Sequence, residues 1–126
     1  MAFNLTLLLC DNMLVSSSTL AAEIFNFAQA MAKANRNSTQ EVIIRRVSAD
    51  GLPVQTSSGF ELTPTHNLDN VFPSDLIHVP ALWRNPRPVV QKHHQYIPWL
   101  QQQHQQNSAI TAVGTGVCFV AEAGLL

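Results

Sequence analysis

The most informative stretch of the sequence is Ile110-Thr-Ala-Val-Gly-Thr-Gly-Val-Cys-Phe-Val-Ala-Glu-Ala-Gly-Leu-Leu126. Residues 109–113 are predicted to form a strand, Gly114-Thr-Gly116 a tight turn, and residues 117–123 a short apolar helix that Gly124 caps. A strand that turns sharply into a helix through small residues is the architecture of a nucleophile elbow, in which one side chain stands exposed at the carboxyl edge of a sheet. Gly-Thr-Gly alone is weak support for a nucleophile elbow, because any strand-to-helix turn can use glycine.

Upstream of this stretch, strand patterns alternate with helix patterns. Residues 3–9 are almost continuously apolar, residues 41–48 are rich in β-branched side chains, and residues 76–79 form a short apolar run that Pro80 closes. Each of these runs is predicted to be a strand. Because strands without polar alternation are buried on both faces, the pattern predicts an α/β domain with a parallel sheet between helices.

A helix is predicted after the first strand from apolar residues at spacings of four, three and four, which define one helical face: Leu20, Ile24, Phe27 and Met31. A side-chain cap is expected from Ser17, Ser18 or Thr19, since their hydroxyl oxygens can accept from a free backbone N–H. The helix is expected to end near Asn35-Arg-Asn37, where asparagine tolerates a left-handed conformation.

The segment after the third strand is expected to contain two short helices. Residues 84–88 hold two prolines and are predicted to be a loop. Residues 89–96 are predicted to form one helix and residues 99–106 the next, with Pro98 in its first turn, where the missing N–H costs nothing.

Composition excludes several classes of function. A chain of 126 residues fits one domain, and a net charge of −1 argues against an autonomous nucleic-acid binder, which needs a basic face. Charged residues make up only 12 % of the chain, about half the usual share, which favours burial of surface against a partner. No apolar run approaches the ~20 residues that cross a bilayer, and no signal-peptide pattern is present, so a cytoplasmic location without membrane contact is expected.

The cysteines and clustered histidines show no metal-site or disulfide pattern. Cys10 and Cys118 lie far apart and form no CxxC pair. His93 and His94 are adjacent and would point apart on a helix, and neither is spaced four residues from His104, so no metal site is expected. Each cysteine is expected to be a small buried residue, with a reactive thiol as the alternative.

Four other residues have two interpretations each. His78 is expected to be a hydrogen-bonded core histidine because it alternates within an apolar strand. Arg84 and Arg87 flank the loop after that strand and are expected to be solvated, with an anionic ligand as the alternative. Trp83 either lines a pocket or packs under the loop, and the sequence leaves both open.

Four stretches in order along the chain carry a wider resemblance: residues 7–27, Val54-Gln-Thr-Ser-Ser-Gly59, Asp75-Leu-Ile-His-Val-Pro80, and Trp99-Leu100 running on to Ala121-Glu-Ala-Gly-Leu-Leu126. Through them the sequence resembles the ThiJ/PfpI branch of the class I glutamine amidotransferase-like superfamily. It is most similar to the sensor domain of AraC-family transcriptional regulators built on that fold. The resemblance implies a flavodoxin-like three-layer sandwich with a mostly parallel sheet. Residues 1–126 would form one such domain, truncated after the elbow helix and incomplete at its C-terminus.

The resemblance also implies that catalysis has been lost. Active relatives place a cysteine directly after the strand of the elbow, where this chain has Gly114, and glycine offers no nucleophile. The acidic residue that relatives often carry before the first helix corresponds to Ser17, which cannot tune a thiol pKa by its charge. The glycines that often supply oxyanion-binding N–H groups are replaced by Pro80-Ala-Leu-Trp83. The chain is therefore expected to have no catalytic residue, no metal and no cofactor.

A ligand site is expected instead at the carboxyl edge of the parallel sheet, where open α/β sheets bind ligands. Its residues would be Asp11, Asn12, Ser17, Ala81, Leu82, Trp83, Gly114, Thr115 and Gly116. By resemblance, the chain would be a homodimeric sensor of a small-molecule effector. DNA would be bound only by a C-terminal pair of helix-turn-helix motifs outside these residues. The alternative is a stand-alone ThiJ/PfpI-like hydrolase or hydratase that uses Cys10 or Cys118.

Overall fold

A computed structural model describes residues 2–35, 40–71 and 73–126. Its strands, in chain order, are β1 (Ala2–Leu8), β2 (Glu41–Ser48), β3 (Val54–Gln55), β4 (Glu61–Leu62), β5 (His66–Asn67), β6 (Leu76–Val79) and β7 (Ala109–Ala112). Its helices are α1 (Ser16–Ala34), α2 (Arg87–Lys92), α3 (Tyr96–Gln105) and α4 (Val117–Glu122), and a 3-10 turn over Gly114–Gly116 joins β7 to α4.

Five strands form a parallel sheet in the order β5-β2-β1-β6-β7. The predicted α/β architecture is confirmed, and β2 and β6 have the predicted bounds. β3 and β4 form a separate antiparallel hairpin, which was not predicted. The two-residue strand β5 was not predicted, since only its pairing with β2 distinguishes it from a loop.

Helices cover both faces of the sheet, which gives the three layers of a flavodoxin-like fold. On one face, the fully buried side chains of Tyr96, Leu100 and Phe119 from α3 and α4 form one core with Leu8 and Ile77. On the other face lies α1. There the ring of Phe25 stacks on that of Phe3 with a centroid distance of 5.7 Å, and Oε1 of Gln29 accepts a hydrogen bond from Val42 N at 2.6 Å.

The apolar stripe of α1 points away from the sheet. The side of α1 that faces the sheet carries Ser18, Ala22, Phe25 and Gln29, whereas the stripe is offset by about half a turn. Its side chains are correspondingly exposed: Leu20 58 %, Ile24 58 %, Phe27 68 % and Met31 47 %. We define these four residues as the outer stripe of α1. The spacing correctly predicts the helix but not the surroundings of that face.

The serine cluster at the start of α1 does not cap the helix as predicted. Val15 occupies the N-cap position, and no side chain caps the helix. The hydroxyl of Ser17 donates to Leu14 O at 2.7 Å, and that of Thr19 donates to Val15 O at 3.1 Å. Ser18 is buried, and its Oγ has no hydrogen-bond partner. The predicted side-chain cap is wrong because the hydroxyls of Ser17 and Thr19 donate to preceding carbonyls, whereas a cap would accept from a free backbone N–H of the helix.

Three further boundaries differ from or match the sequence predictions. Asn35 follows α1 with φ of −87°, so a left-handed cap at this residue is wrong, and Asn37 lies outside the described residues. α2 begins at Arg87, inside the predicted loop, because proline suits the first turn of a helix. Gly124 has φ of 71° and ends α4 as predicted.

Candidate functional site

The carboxyl ends of β1, β6 and β7 bring the predicted site residues to one edge of the sheet. The loops that follow β1 and β6 pair with each other there: Leu14 N donates to Ala81 O at 2.9 Å, and Trp83 N donates to Asn12 O at 3.0 Å. The side chain of Asn12 adds a bond from Nδ2 to Trp83 O at 3.0 Å. These bonds lie where the chain order reverses in the sheet, the usual ligand crevice of such folds.

The turn after β7 leads sharply from a strand into a helix, and Gly114 carries no side chain there. Gly114 has φ of 51°, in the left-handed region that favours glycine. A Cβ added at Gly114 would meet only Ala81 Cβ, at 3.8 Å, so the site has room for a side chain. At Gly116, by contrast, an added Cβ would lie 2.2 Å from Pro80 O. Glycine is therefore required at Gly116 by close backbone approach, whereas Gly114 leaves open space beside Ala81.

The backbone amides that face this turn are already occupied by hydroxyl groups of the chain. Ala81 N donates to Ser17 Oγ at 3.0 Å, and Leu82 N donates to Thr115 Oγ1 at 3.0 Å. The hydroxyl of Thr115 in turn donates to Leu82 O at 2.8 Å. An oxyanion needs such N–H groups unoccupied and aimed at it. In this structure the amides of Ala81 and Leu82 therefore donate within the chain.

His78 ties the start of α1 to the sheet beneath this edge. It is buried, its Nε2–H donates to Ser17 O at 2.7 Å, and its Nδ1 forms a hydrogen bond with Thr111 Oγ1 at 2.9 Å. The carbonyl can only accept, so this bond places a proton on Nε2. The prediction of a hydrogen-bonded core histidine is confirmed.

The architecture is similar to that of solved structures in one superfamily. One of these structures is a protein from Vibrio parahaemolyticus that is described as a transcriptional regulator. It matches with TM-score 0.85 and 21% identity over 100% of this chain and 63% of that chain. The chain has the DJ-1/ThiJ/PfpI fold. An AraC family transcriptional regulator from Pseudomonas putida matches with TM-score 0.75 and 22% identity over 98% of this chain and 62% of that one.

A THiJ/PfpI family protein from Pseudomonas syringae also matches, with TM-score 0.72 and 16% identity over 100% of this chain and 48% of that chain. The chain therefore spans less than two thirds of the length of these neighbours. Neither protein-family models nor curated proteins give a match to the sequence. At these identities the likeness establishes the DJ-1/ThiJ/PfpI fold.

Asp11, at the end of the first strand of this DJ-1/ThiJ/PfpI fold, contacts α2 rather than the elbow. Its carboxylate pairs with Lys92 Nζ, and its backbone N–H donates to His93 Nε2 at 3.2 Å. Partial burial opposes ionisation, but the hydrogen bonds from Lys92 and from Gln55 N lower the pKa of Asp11. Burial lowers the pKa of His93, against the attraction of Asp11. A polar cavity of about 210 Å³ adjoins these three residues.

The pairing of Asp11 with Lys92 and His93 was missed from the sequence. The partners are 81 and 82 residues away, and no local spacing joins them. The sequence indicated only that Asp11, which follows β1, lies at the carboxyl edge of the sheet, and it did not indicate its partners. In the described residues, no group of three or more His, Cys, Asp or Glu is placed to hold a metal ion.

The two cysteines differ in their surroundings. Cys10 is fully buried, and burial raises the pKa of its thiol, so it is the expected small core residue. Cys118 is half-buried rather than buried, so the prediction is wrong for this residue. It lines a cavity of about 640 Å³ between α2 and α4, together with Arg87 and His94. Arg87 thus faces a cavity.

Trp83 stands at the surface of the carboxyl edge. Its side chain is 47 % exposed, and the guanidinium of Arg84 lies 5.5 Å from its ring centroid. The alternative in which Trp83 packs under the loop is therefore wrong.

None of the helices in the described ranges has the length and hydropathy that crossing a membrane requires.

Proposed function

We propose that the chain is a non-catalytic ligand-sensing and dimerisation domain of an AraC-type transcriptional regulator. The DNA-binding helix-turn-helix part would lie outside this chain, and the protein would act in the cytoplasm. Two of the similar structures described above are assigned as transcriptional regulators, one of them as AraC family. The net charge of −1 also agrees with a domain that leaves DNA binding to another segment.

The observation that carries the non-catalytic part is the occupied elbow. Gly114 supplies no nucleophile, and the amides of Ala81 and Leu82 are bound to the hydroxyls of Ser17 and Thr115. Acyl-transfer chemistry needs both an activated nucleophile and unoccupied oxyanion donors. The absence of a side chain at Gly114 and the internal bonding of these two amides both support the non-catalytic proposal.

The sensing part of the proposal rests on the same edge of the sheet. Asn12 and Trp83 are bonded to each other across the paired loops after β1 and β6, and Trp83 presents an exposed ring there. A small effector that contacts this edge meets one aromatic face and the adjacent polar side chains. Binding would change the loop pairing, which connects β1 with β6.

The dimerisation part rests on the outer stripe of α1. Its four large apolar side chains make an exposed patch of a few hundred Å², in the range where such patches mark binding surfaces. α1 carries only two charged residues, Glu23 and Lys33. A second copy meeting this stripe about a two-fold axis would bury it symmetrically.

Thermal-shift screening of the full chain against classes of small metabolites tests the sensing role. At least one class is expected to raise Tm in proportion to the logarithm of its concentration, as binding to the native state requires. The same compounds should not be turned over. An absence of any shift across the panel would contradict the sensing role, and turnover would contradict the non-catalytic role.

A second candidate function is a hydrolase or hydratase that uses a displaced cysteine. The observation that favours it is the position of Cys118, which lines the 640 Å³ cavity with His94 and Glu122. A thiol beside an imidazole is one arrangement that activates a nucleophile. Turnover of an ester or aldehyde substrate that disappears in Cys118→Ser would establish this function in place of the first.

A further inference from the structure

A third cavity lies between α1, the sheet and the hairpin, away from the carboxyl edge of the predicted site. Its volume is about 350 Å³, within the range of small-molecule sites. Apolar side chains from β1, β2, β4 and α1 line it: Leu7, Ile44, Leu62 and Ala22. The cavity is therefore suited to the apolar part of a small ligand.

Ser18 places an unsatisfied hydroxyl at this cavity. The residue lines the cavity and is 2 % exposed, and its Oγ has no hydrogen-bond partner. The neighbouring hydroxyls of Ser17 and Thr19 donate to preceding carbonyls of the chain, so Ser18 alone among the three lacks a bond. Because buried polar groups are normally hydrogen-bonded, this hydroxyl indicates a partner that the chain itself does not supply.

Two opposite charges also line the cavity without pairing with each other. Arg46 is held in place by a bond from Nε to Thr63 O at 2.8 Å, which leaves its terminal nitrogens available. Glu23 lies on α1 and, within the described ranges, forms no salt bridge with Arg46 or any other residue. A guanidinium binds a carboxylate through two parallel hydrogen bonds, and a carboxylate binds an ammonium group.

We propose that this cavity binds an α-amino acid with an apolar side chain, such as leucine or phenylalanine. Arg46 holds the carboxylate of the ligand, Glu23 holds its ammonium group, and the side chain lies on Leu7, Ile44 and Leu62. The hydroxyl of Ser18 gains a hydrogen bond to a polar atom of the ligand. This inference goes beyond the proposed function by naming a ligand class and a second site, and it holds whether or not the elbow is catalytic.

Calorimetric titration of the full chain with leucine and three partial analogues tests the ligand class. Glycine lacks the apolar side chain, 4-methylpentanoate lacks the ammonium group, and 3-methylbutylamine lacks the carboxylate. Leucine is expected to bind, and each analogue is expected to bind at least about tenfold more weakly, since each loses one contact. No binding of leucine or phenylalanine, or equal binding of leucine and 4-methylpentanoate, would overturn the proposal.

Substitutions then locate the site. Glu23→Gln should weaken leucine binding about tenfold while leaving 4-methylpentanoate binding unchanged, because only the ammonium contact is lost. Ser18→Ala should weaken leucine binding several-fold without lowering Tm, since its hydroxyl has no partner in the unbound chain. Glu41→Gln, an exposed change at the start of β2, is the matched control and should bind leucine like the wild type. If Glu23→Gln and Ser18→Ala both bind leucine like this control, the proposed site is wrong. The proposed function would be unaffected by that result.

Discussion

The hydroxyl of Thr115 forms two hydrogen bonds with one residue, accepting from Leu82 N at 3.0 Å and donating to Leu82 O at 2.8 Å. The two residues are 33 positions apart and belong to the turns that follow β7 and β6. One side chain thus joins the turn after β7 to the loop after β6. In this chain the elbow is a structural joint.

Thr115→Val tests this joint because valine keeps the shape of threonine without the hydroxyl. The partly buried N–H and C=O of Leu82 lose their partner, so the free energy of unfolding should fall by about 1–3 kcal/mol. Urea denaturation measures the change. Thr63→Val, at an exposed threonine, is the control and should stay within about 0.5 kcal/mol of the wild type. Equal stability of the two variants would argue against a structural role for Thr115.

The two glycines of the elbow should respond differently to alanine. Gly116→Ala places a Cβ 2.2 Å from Pro80 O, so backbone must move and stability should fall by roughly 3 kcal/mol or more. Gly114→Ala meets only Ala81 Cβ at 3.8 Å and should cost about 1–2 kcal/mol, from its φ of 51° alone. Thermal unfolding of both variants measures the difference. A Gly114→Ala variant as unstable as Gly116→Ala would show that the space at the elbow is not present.

Stability should fall as pH drops below about 6.5, because the folded state disfavours the charged form of His93. Burial lowers the pKa of His93, whereas in the unfolded chain it titrates near ~6.5. The stabilisation is complete above the unfolded pKa and is lost as pH falls from there towards the lower folded pKa. Tm measured from pH 8 to pH 5 should decrease less in His93→Gln than in the wild type. His94→Gln, at the exposed neighbour, should retain the wild-type slope, and an unchanged slope in His93→Gln would be inconsistent with this cause.

Phe27→Asp should separate the proposed dimer into monomers by placing a charge in the outer stripe of α1. Burying an unpaired carboxylate between two apolar surfaces is strongly unfavourable. Analytical ultracentrifugation across micromolar concentrations measures the molar mass. Phe60→Asp is a matched control, because Phe60 is 65 % exposed but lies outside α1, and this variant should remain dimeric. A wild-type chain that is monomeric throughout this range would refute the assembly.

The sequence predicts the parallel sheet well because its strands carry their signal locally. The β-branched run 41–48 and the apolar run 76–79 give the bounds of β2 and β6 without error. The strands β3, β4 and β5 have two residues each and exist only through pairing with a neighbour, so no pattern within them could predict them. Likewise, the spacing of the outer stripe predicts a helix but carries no information on which side the sheet lies.

The candidate site could be predicted only in part for the same reason. That Gly114 lacks a nucleophile follows directly from comparing the residue with the pattern of the resembled family. That Ser17 bonds Ala81 N depends on a contact across 64 residues, which no local spacing shows. The unpartnered hydroxyl of Ser18 is a property of packing, and the cluster Ser16-Ser-Ser-Thr19 gave the opposite expectation of a helix cap.

Cysteine reactivity tests the non-catalytic account most directly, since a hydrolase or a hydratase with a displaced cysteine would need a thiolate. The full chain is treated with iodoacetamide from pH 6 to pH 9, and modification of each cysteine is followed by peptide mass spectrometry. Cys10 should stay unmodified in the folded protein, because it is fully buried and burial raises the pKa of its thiol. Cys118 should react only slowly below pH 8. Rapid modification of either cysteine well below pH 8 would contradict the account and favour an enzyme with a displaced nucleophile.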